Sequence, residues 1–467
     1  MMRSALFLIL LLSTIASAAD ELPLGVRTVL DVRQVPADSL SIYVEDLESG
    51  DVVLDWQSGV PRNPASTMKL LTTLVALDIL GPAYRWKTDV YAQGEIRDGI
   101  LDGDLLLKGY GDPFLVTERV WQLLRRIRLE GIEEIAGDLL LDDSWFDVGS
   151  YDPAAFDNQP LRAYNVAPNA LLFNFKVVRY WFEPDGNRVA VRVDPALANL
   201  NVDNRLTTRQ SYCGGFQRGI AVNMNAANDT VIFEGRFPNG CKRYAMDRTA
   251  LSHNEFAFGL FEYLWRESGG VFGGSWKNVQ ADEEAEPLFS FRSPPLSELI
   301  ARINKHSNNV MARQVLYTLA AEESGPPGTE AAGRDVIAAW LEDRKLETCA
   351  MAIENGAGLS RESRVCAAAM AAMLRFAWRQ PYMPEFLSSM SLSGLDGTLR
   401  RRFNDSQLVG QAHLKTGSLD HVTAIAGYMQ SRSGRRFAVV ALQNYDDIHR
   451  GPGEEVQEAL LRWLYEQ

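Results

Sequence analysis

Ser66-Thr67-Met68-Lys69-Leu70-Leu71-Thr72-Thr73-Leu74-Val75-Ala76-Leu77-Asp78-Ile79-Leu80, closed by Gly81-Pro82, is the stretch around which the rest of the chain organises. It predicts a helix from Ser66 to about Leu80, stopped by the glycine and proline. Apolar residues surround it on every side, so it belongs in a core. Ser66 and Lys69 stand three residues apart and share one helical face. A hydroxyl and an amine therefore meet without tertiary help. The helix N-terminus adds unpaired N–H groups and a positive dipole end, which suit a carbonyl gaining negative charge under attack by Ser66 Oγ. The same surroundings, with other cations near, lower the pKa of Lys69 and make it a neutral base. A lone S-x-x-K also arises by chance, as an N-cap serine beside a solvated lysine. A lysine on so apolar a helix argues against that.

Upstream, Leu40–Val44 alternates, Glu48-Ser49-Gly50-Asp51 turns and Val52–Leu54 returns, predicting two strands over residues 40–57. From 90 to 285 the texture is of short strands separated by Gly, Asp and Asn turns, a mostly β insertion of one or two sub-domains. Helices return over 296–304, 310–321, 333–346 and 365–379. Strands follow over 421–430 and 436–444, then an amphipathic helix over 454–465. The first and last strands would have to share a sheet. The division expected is residues 19–89 with 286–467 as one catalytic domain and 90–285 as the insertion. The fold class expected is α/β (α+β), an antiparallel sheet with flanking helices.

Two further motifs follow in order. Ser307-Asn308-Asn309 lies between two helical patterns. Ser307 could relay a proton, and Asn309 has the donor and acceptor to hold a substrate amide; a polar cap or turn is the competing reading. Lys415-Thr416-Gly417-Ser418 comes just before the 421–430 strand. Lys415 could pair with a carboxylate, Gly417 allows close approach of a ligand backbone, and the Ser418 N–H with that of Ser66 could form an oxyanion hole. A surface turn is the alternative. Each motif is weak alone. Their order, S-x-x-K, S-x-N, K-T-G, is that of penicillin-binding proteins and serine β-lactamases.

The chain resembles the penicillin-binding protein 4 type of D-alanyl-D-alanine carboxypeptidase/endopeptidase, the peptidase S13 family. The likeness extends to Gly109-Tyr110-Gly111-Asp112-Pro113, Asp142-Asp143-Ser144-Trp145-Phe146, Ser293-Pro294-Pro295-Leu296, Gly358-Leu359-Ser360-Arg361, Gly394-Leu395-Asp396-Gly397-Thr398-Leu399 and His413–Leu419. Asn355-Gly356-Ala357-Gly358 replaces the family's D-G-S-G. The resemblance implies a serine DD-peptidase fold with its insertion between the serine helix and the S-x-N motif. It implies catalysis by Ser66, Lys69, Ser307, Asn309 and Lys415, substrate binding by Thr416, Gly417 and Ser418, and acylation by β-lactams. The substrate implied is D-Ala-D-Ala stem peptide, with peptidoglycan cross-bridges as a second target. It also places Asp142 beside the cleft, against the amine of a diaminopimelate side chain, with a turn aspartate as the competing reading. A β-lactamase or esterase on the same scaffold, and a non-catalytic cell-wall-binding protein, are the alternatives.

Composition limits the rest. Net charge is −13 with 46% hydrophobic and 23% charged residues; this is a globular chain with no gain from counterion release on nucleic acid. Five histidines carry no H-E-x-x-H or other metal spacing, so neither metal nor cofactor is expected. Met1-Met2-Arg3, the apolar run Ala5–Leu12 and Ala16-Ser17-Ala18 read as a signal peptide over residues 1–18. No later segment offers a membrane span, so export to the periplasm is expected. Four cysteines in an oxidising compartment favour disulfides. Three connectivities exist; sequence order favours Cys213–Cys241 and Cys349–Cys366.

Overall fold

The computed structural model describes residues 21–403 and 407–467; the signal-peptide expectation lies outside them. The first and last strands do share a sheet. Leu40–Asp46 runs antiparallel to Arg436–Asn444, from Leu40 opposite Gln443 to Asp46 opposite Phe437. The six strands lie in the order Ser391–Leu392, Ala412–Leu419, Val422–Gln430, Arg436–Asn444, Leu40–Asp46, Val52–Trp56, each antiparallel to its neighbours. Side chains alternate across it with period two. Ile425, Val439 and Ala441 face the terminal helices Leu24–Arg33 and Pro452–Tyr465. Ala424, Ala426, Val440 and Leu442 face a helical body.

That body is built on the serine helix, Met68–Leu80. Every residue from Met68 to Leu77 is buried. Each buried leucine contributes about 1.5–3 kcal/mol, so the helix is held by its packing against Leu296–His306, Asn309–Ser324, Glu330–Asp343 and Ala367–Trp378. Its polar residues are bonded: Thr72 Oγ1 donates to Gly356 O at 2.7 Å, and Asn304 Nδ2 donates to Thr73 Oγ1 at 3.1 Å.

Residues 87–292 form two more sheets, of six and seven strands, sharing one core. Beside these sheets, two helices that the sequence reading did not single out lie in the same stretch. Helices Thr117–Leu129 and His253–Glu267 pack between the sheets. Several strand pairs are parallel, such as Thr230–Pro238 with Asn201–Arg209 and Leu139–Asp142 with Ile100–Gly109. Cys213 bonds Cys241 and Cys349 bonds Cys366, the pairing favoured by sequence order.

Candidate active site

Ser66 sits in a single 3-10 turn, Ala65–Thr67, that leads into the serine helix. The backbone before it is strained: Ala65 has φ +44°, a conformation costly for a residue with a Cβ and persistent only where its surroundings over-determine it. They do. Asn63 N donates to Asn444 Oδ1 at 2.8 Å, Asn63 Nδ2 to Ser360 O at 2.8 Å, and Ala65 N to Asn63 Oδ1 at 2.9 Å. Two glycines let other segments close on this turn. A Cβ on Gly358 (φ +70°) would fall 1.9 Å from Ala65 O; one on Gly417 would fall 2.7 Å from Pro64 O and 3.0 Å from Ser66 N.

Lys69 is wholly buried. Its Nζ donates to Asn309 Oδ1 at 2.5 Å and Ala357 O at 2.6 Å, and lies 2.9 Å from Ser66 Oγ. Two carbonyl acceptors take two N–H bonds, so a neutral amine would turn its lone pair to the serine hydroxyl. Burial holds the Lys69 pKa well below that of a free lysine, with the charges of Lys415 and then Arg313 adding to the effect. Arg313 follows Asn309 by one turn on the same helix and is itself buried, donating to Tyr151 Oη and Val166 O. No sequence motif announced it, nor the Ala357 carbonyl.

Lys415 is also wholly buried, and burial lowers its pKa to about 7. Its Nζ donates to Ser307 Oγ at 3.0 Å and to Thr416 O at 2.6 Å. Ser307 ends the Leu296–His306 helix in a left-handed conformation, φ +56°, which turns the chain so that Asn309 begins the next helix. The K-T-G segment is not a turn ahead of a strand. It lies within strand Ala412–Leu419, with Lys415 opposite Ala426 and Gly417 opposite Ala424. Thr416 Oγ1 donates to Thr398 Oγ1 at 2.8 Å; Thr398 is a further residue at this edge, within the Gly394–Leu399 motif. Ser418 is exposed on the same strand, opposite Thr423. Asn355, in place of the family's aspartate, still shapes its loop: Oδ1 accepts from Ala357 N and Nδ2 donates to Leu359 O.

Asp142 must be corrected. It has no exposed surface. Oδ1 accepts from Ser144 N at 2.9 Å, Oδ2 accepts from Ala281 N at 2.9 Å, and Lys108 Nζ stands 3.6 Å away. Each oxygen already accepts a backbone N–H, and with no exposed surface the carboxylate faces the protein interior. Among the described residues one trio, His421, Asp447 and His449, has the proximity of metal ligands. Yet His449 Nδ1 accepts from His421 N and His421 Nδ1 from Asp447 N. Both Nδ1 atoms are thus already engaged by backbone N–H groups.

The fold is that of penicillin-binding proteins of the DD-peptidase class: over 95% of this chain and 100% of the other, it superposes on the crystal structure of penicillin binding protein 4 from Haemophilus influenzae with a TM-score of 0.80 at 22% identity. The chain belongs to the D-Ala-D-Ala carboxypeptidase 3 (S13) family, whose pattern matches residues 26–467, and is a serine-type carboxypeptidase hydrolase. It is 27% identical to the D-alanyl-D-alanine carboxypeptidase of Actinomadura sp. (strain R39), over 91% of this chain and 81% of that protein. The H. influenzae protein has also been solved with a β-lactam, and that complex matches with a TM-score of 0.76 at 22% identity over 95% of this chain and 100% of the other. No helix among the described residues is long and apolar enough to cross a membrane.

Proposed function

We propose that Ser66 is the acylated nucleophile of a DD-peptidase that hydrolyses D-Ala-D-Ala stem peptides and peptidoglycan cross-bridges. The observation that carries this is the 2.9 Å approach of a buried, pKa-depressed Lys69 amine to Ser66 Oγ. Lys69 takes the serine proton as Ser66 Oγ attacks the carbonyl between two D-Ala residues. The N–H groups of Ser66 and Ser418 stabilise the oxyanion. Ser307, whose Oγ accepts from Lys415, passes the proton taken by Lys69 on to the leaving amine, so that Ser307 ends as a hydroxyl and Lys69 as a neutral amine. Lys415, Thr416 and Ser418 hold the terminal carboxylate. Asn309 aligns the peptide through its Nδ2 while its Oδ1 fixes Lys69. Water then releases the acyl group.

A β-lactam presents a carboxylate and an activated amide at matching positions, so it acylates Ser66 and leaves slowly. In this reading residues 19–89 and 286–467 are the catalytic part and 90–285 the insertion. The two disulfides and the N-terminal sequence support an oxidising, periplasmic location. Digestion of purified monomeric and cross-linked muropeptides, followed by mass analysis, tests the assignment. Loss of one D-Ala from the monomer is expected; intact monomer after prolonged incubation refutes it.

A further inference from the structure

The hydroxyl of Thr416 has one proton to give, and that proton goes to Thr398 Oγ1 at 2.8 Å. A substrate carboxylate is an acceptor only. For Thr416 to hold it, the proton turns to the carboxylate. The contact with Thr398 then survives only if Thr398 becomes the donor. What stands behind Thr398 decides whether it can.

The turn that carries Thr398 is pinned at each of its residues. Asp396 pairs with Lys305, two residues before Ser307, and its Oδ1 accepts from Leu392 N at 2.8 Å. Gly397 has φ +55°, and a Cβ there would fall 2.2 Å from Ser391 Oγ and 2.7 Å from Lys305 O. A residue with a side chain would push the turn away from both. Thr398 N donates to Ser391 Oγ at 3.2 Å. Ser391 is wholly buried. Its own hydroxyl proton has two acceptors in reach, Thr398 Oγ1 at 3.3 Å and Lys305 O at 3.5 Å. Thr398 itself is exposed, so burial does not account for a turn held this firmly.

We propose that Ser391, Thr398 and Thr416 form a hydroxyl relay that aims the Thr416 proton at the terminal carboxylate of the substrate. Ser391 donates to Thr398, Thr398 to Thr416, and Thr416 to the carboxylate. A hydroxyl both donates and accepts, hydrogen bonds in a chain polarise one another, and this chain ends on a charge-assisted bond. The same three groups also run in reverse, with Thr416 donating to Thr398 and the last proton passing from Ser391 to Lys305 O. Thr398 is thus a positioning residue, acting on the substrate only through Thr416. The Lys305–Asp396 pair ties its turn to the one that carries Ser307. This rests on the assignment of Thr416 to the carboxylate.

The test compares kcat/KM for a D-Ala-D-Ala peptide with a free carboxylate and for the same peptide ending in D-alaninamide. Thr398→Val keeps the shape and removes the hydroxyl. It should lower the carboxylate-to-amide ratio about tenfold, the scale of one hydrogen bond. Thr398→Ser, which restores the hydroxyl, should keep the wild-type ratio. Ser391→Ala, which removes the first donor, should lower the ratio about threefold, the smaller effect of a bond one step removed. An unchanged ratio in Thr398→Val or in Ser391→Ala overturns the relay, whether both rates hold or both fall together as a merely structural turn would make them. So does a loss in Thr398→Ser as large as in Thr398→Val. A wild type that cuts the two peptides equally well would instead defeat the assignment of Thr416 to the carboxylate.

Discussion

Lys415 Nζ lies 3.0 Å from Ser307 Oγ, joining the fourth residue of strand Ala412–Leu419 to the S-x-N turn across 108 positions of sequence. That contact ties a buried amine of pKa about 7 to the hydroxyl placed to protonate a leaving group. The rate of pentapeptide cleavage should therefore be bell-shaped in pH. The alkaline limb falls as Lys415 loses the proton with which it pairs a substrate carboxylate. Lys415→Arg, which stays charged, should abolish that limb above pH 7, read from kcat/KM against pH. An alkaline limb that persists unmoved would assign it to another group.

Lys415 also links stability to pH. Its folded pKa is about 7 against 10.5 in the unfolded chain. Between those values the unfolded state binds more protons, so stability rises as pH rises. Lys415→Met should flatten the melting-temperature profile between about pH 7 and 10. Equal slopes in the two proteins would contradict the burial account.

Gly358→Ala should strain both the left-handed backbone and the contact with Ala65 O. We expect a loss of about 2 kcal/mol or more, measured by denaturant unfolding, together with slower penicillin acylation. Unchanged acylation would mean that the Ala65 turn does not depend on this approach.

Much of this centre was legible from the sequence, and the gaps have physical causes. The helix carrying Ser66 and Lys69 announces itself by its apolar surround and its Gly81-Pro82 stop. The strand carrying Lys415 does not: Lys, Gly and Ser are poor strand formers, and pairing with Val422–Gln430 overrides local preference. Helix Thr117–Leu129 does carry the i, i+3, i+4, i+7 pattern in Val120, Leu123, Leu124 and Ile127. Ser252 and Glu255 form a capping box ahead of His253–Glu267. Turn-rich flanks hide both. The Ala357 carbonyl and the Arg313 charge are invisible in any linear pattern, since they reach Lys69 only through tertiary packing. The burial of Asp142 beneath Ala281 is likewise invisible in the linear motif.

Asp142→Asn should accordingly cost about 1–3 kcal/mol of stability through a disturbed buried acceptor, with KM for diaminopimelate-containing peptide unchanged. A raised KM without loss of stability would restore Asp142 to the cleft.

The central claim is that Ser66 Oγ, prepared by Lys69, is the atom that becomes acylated. Intact-protein mass spectrometry after incubation with benzylpenicillin reads this directly. The account predicts one covalent adduct on the wild type, mapped to the Ser66 peptide, and none on Ser66→Ala. An adduct surviving in Ser66→Ala, or a folded wild type that remains unmodified, would contradict it.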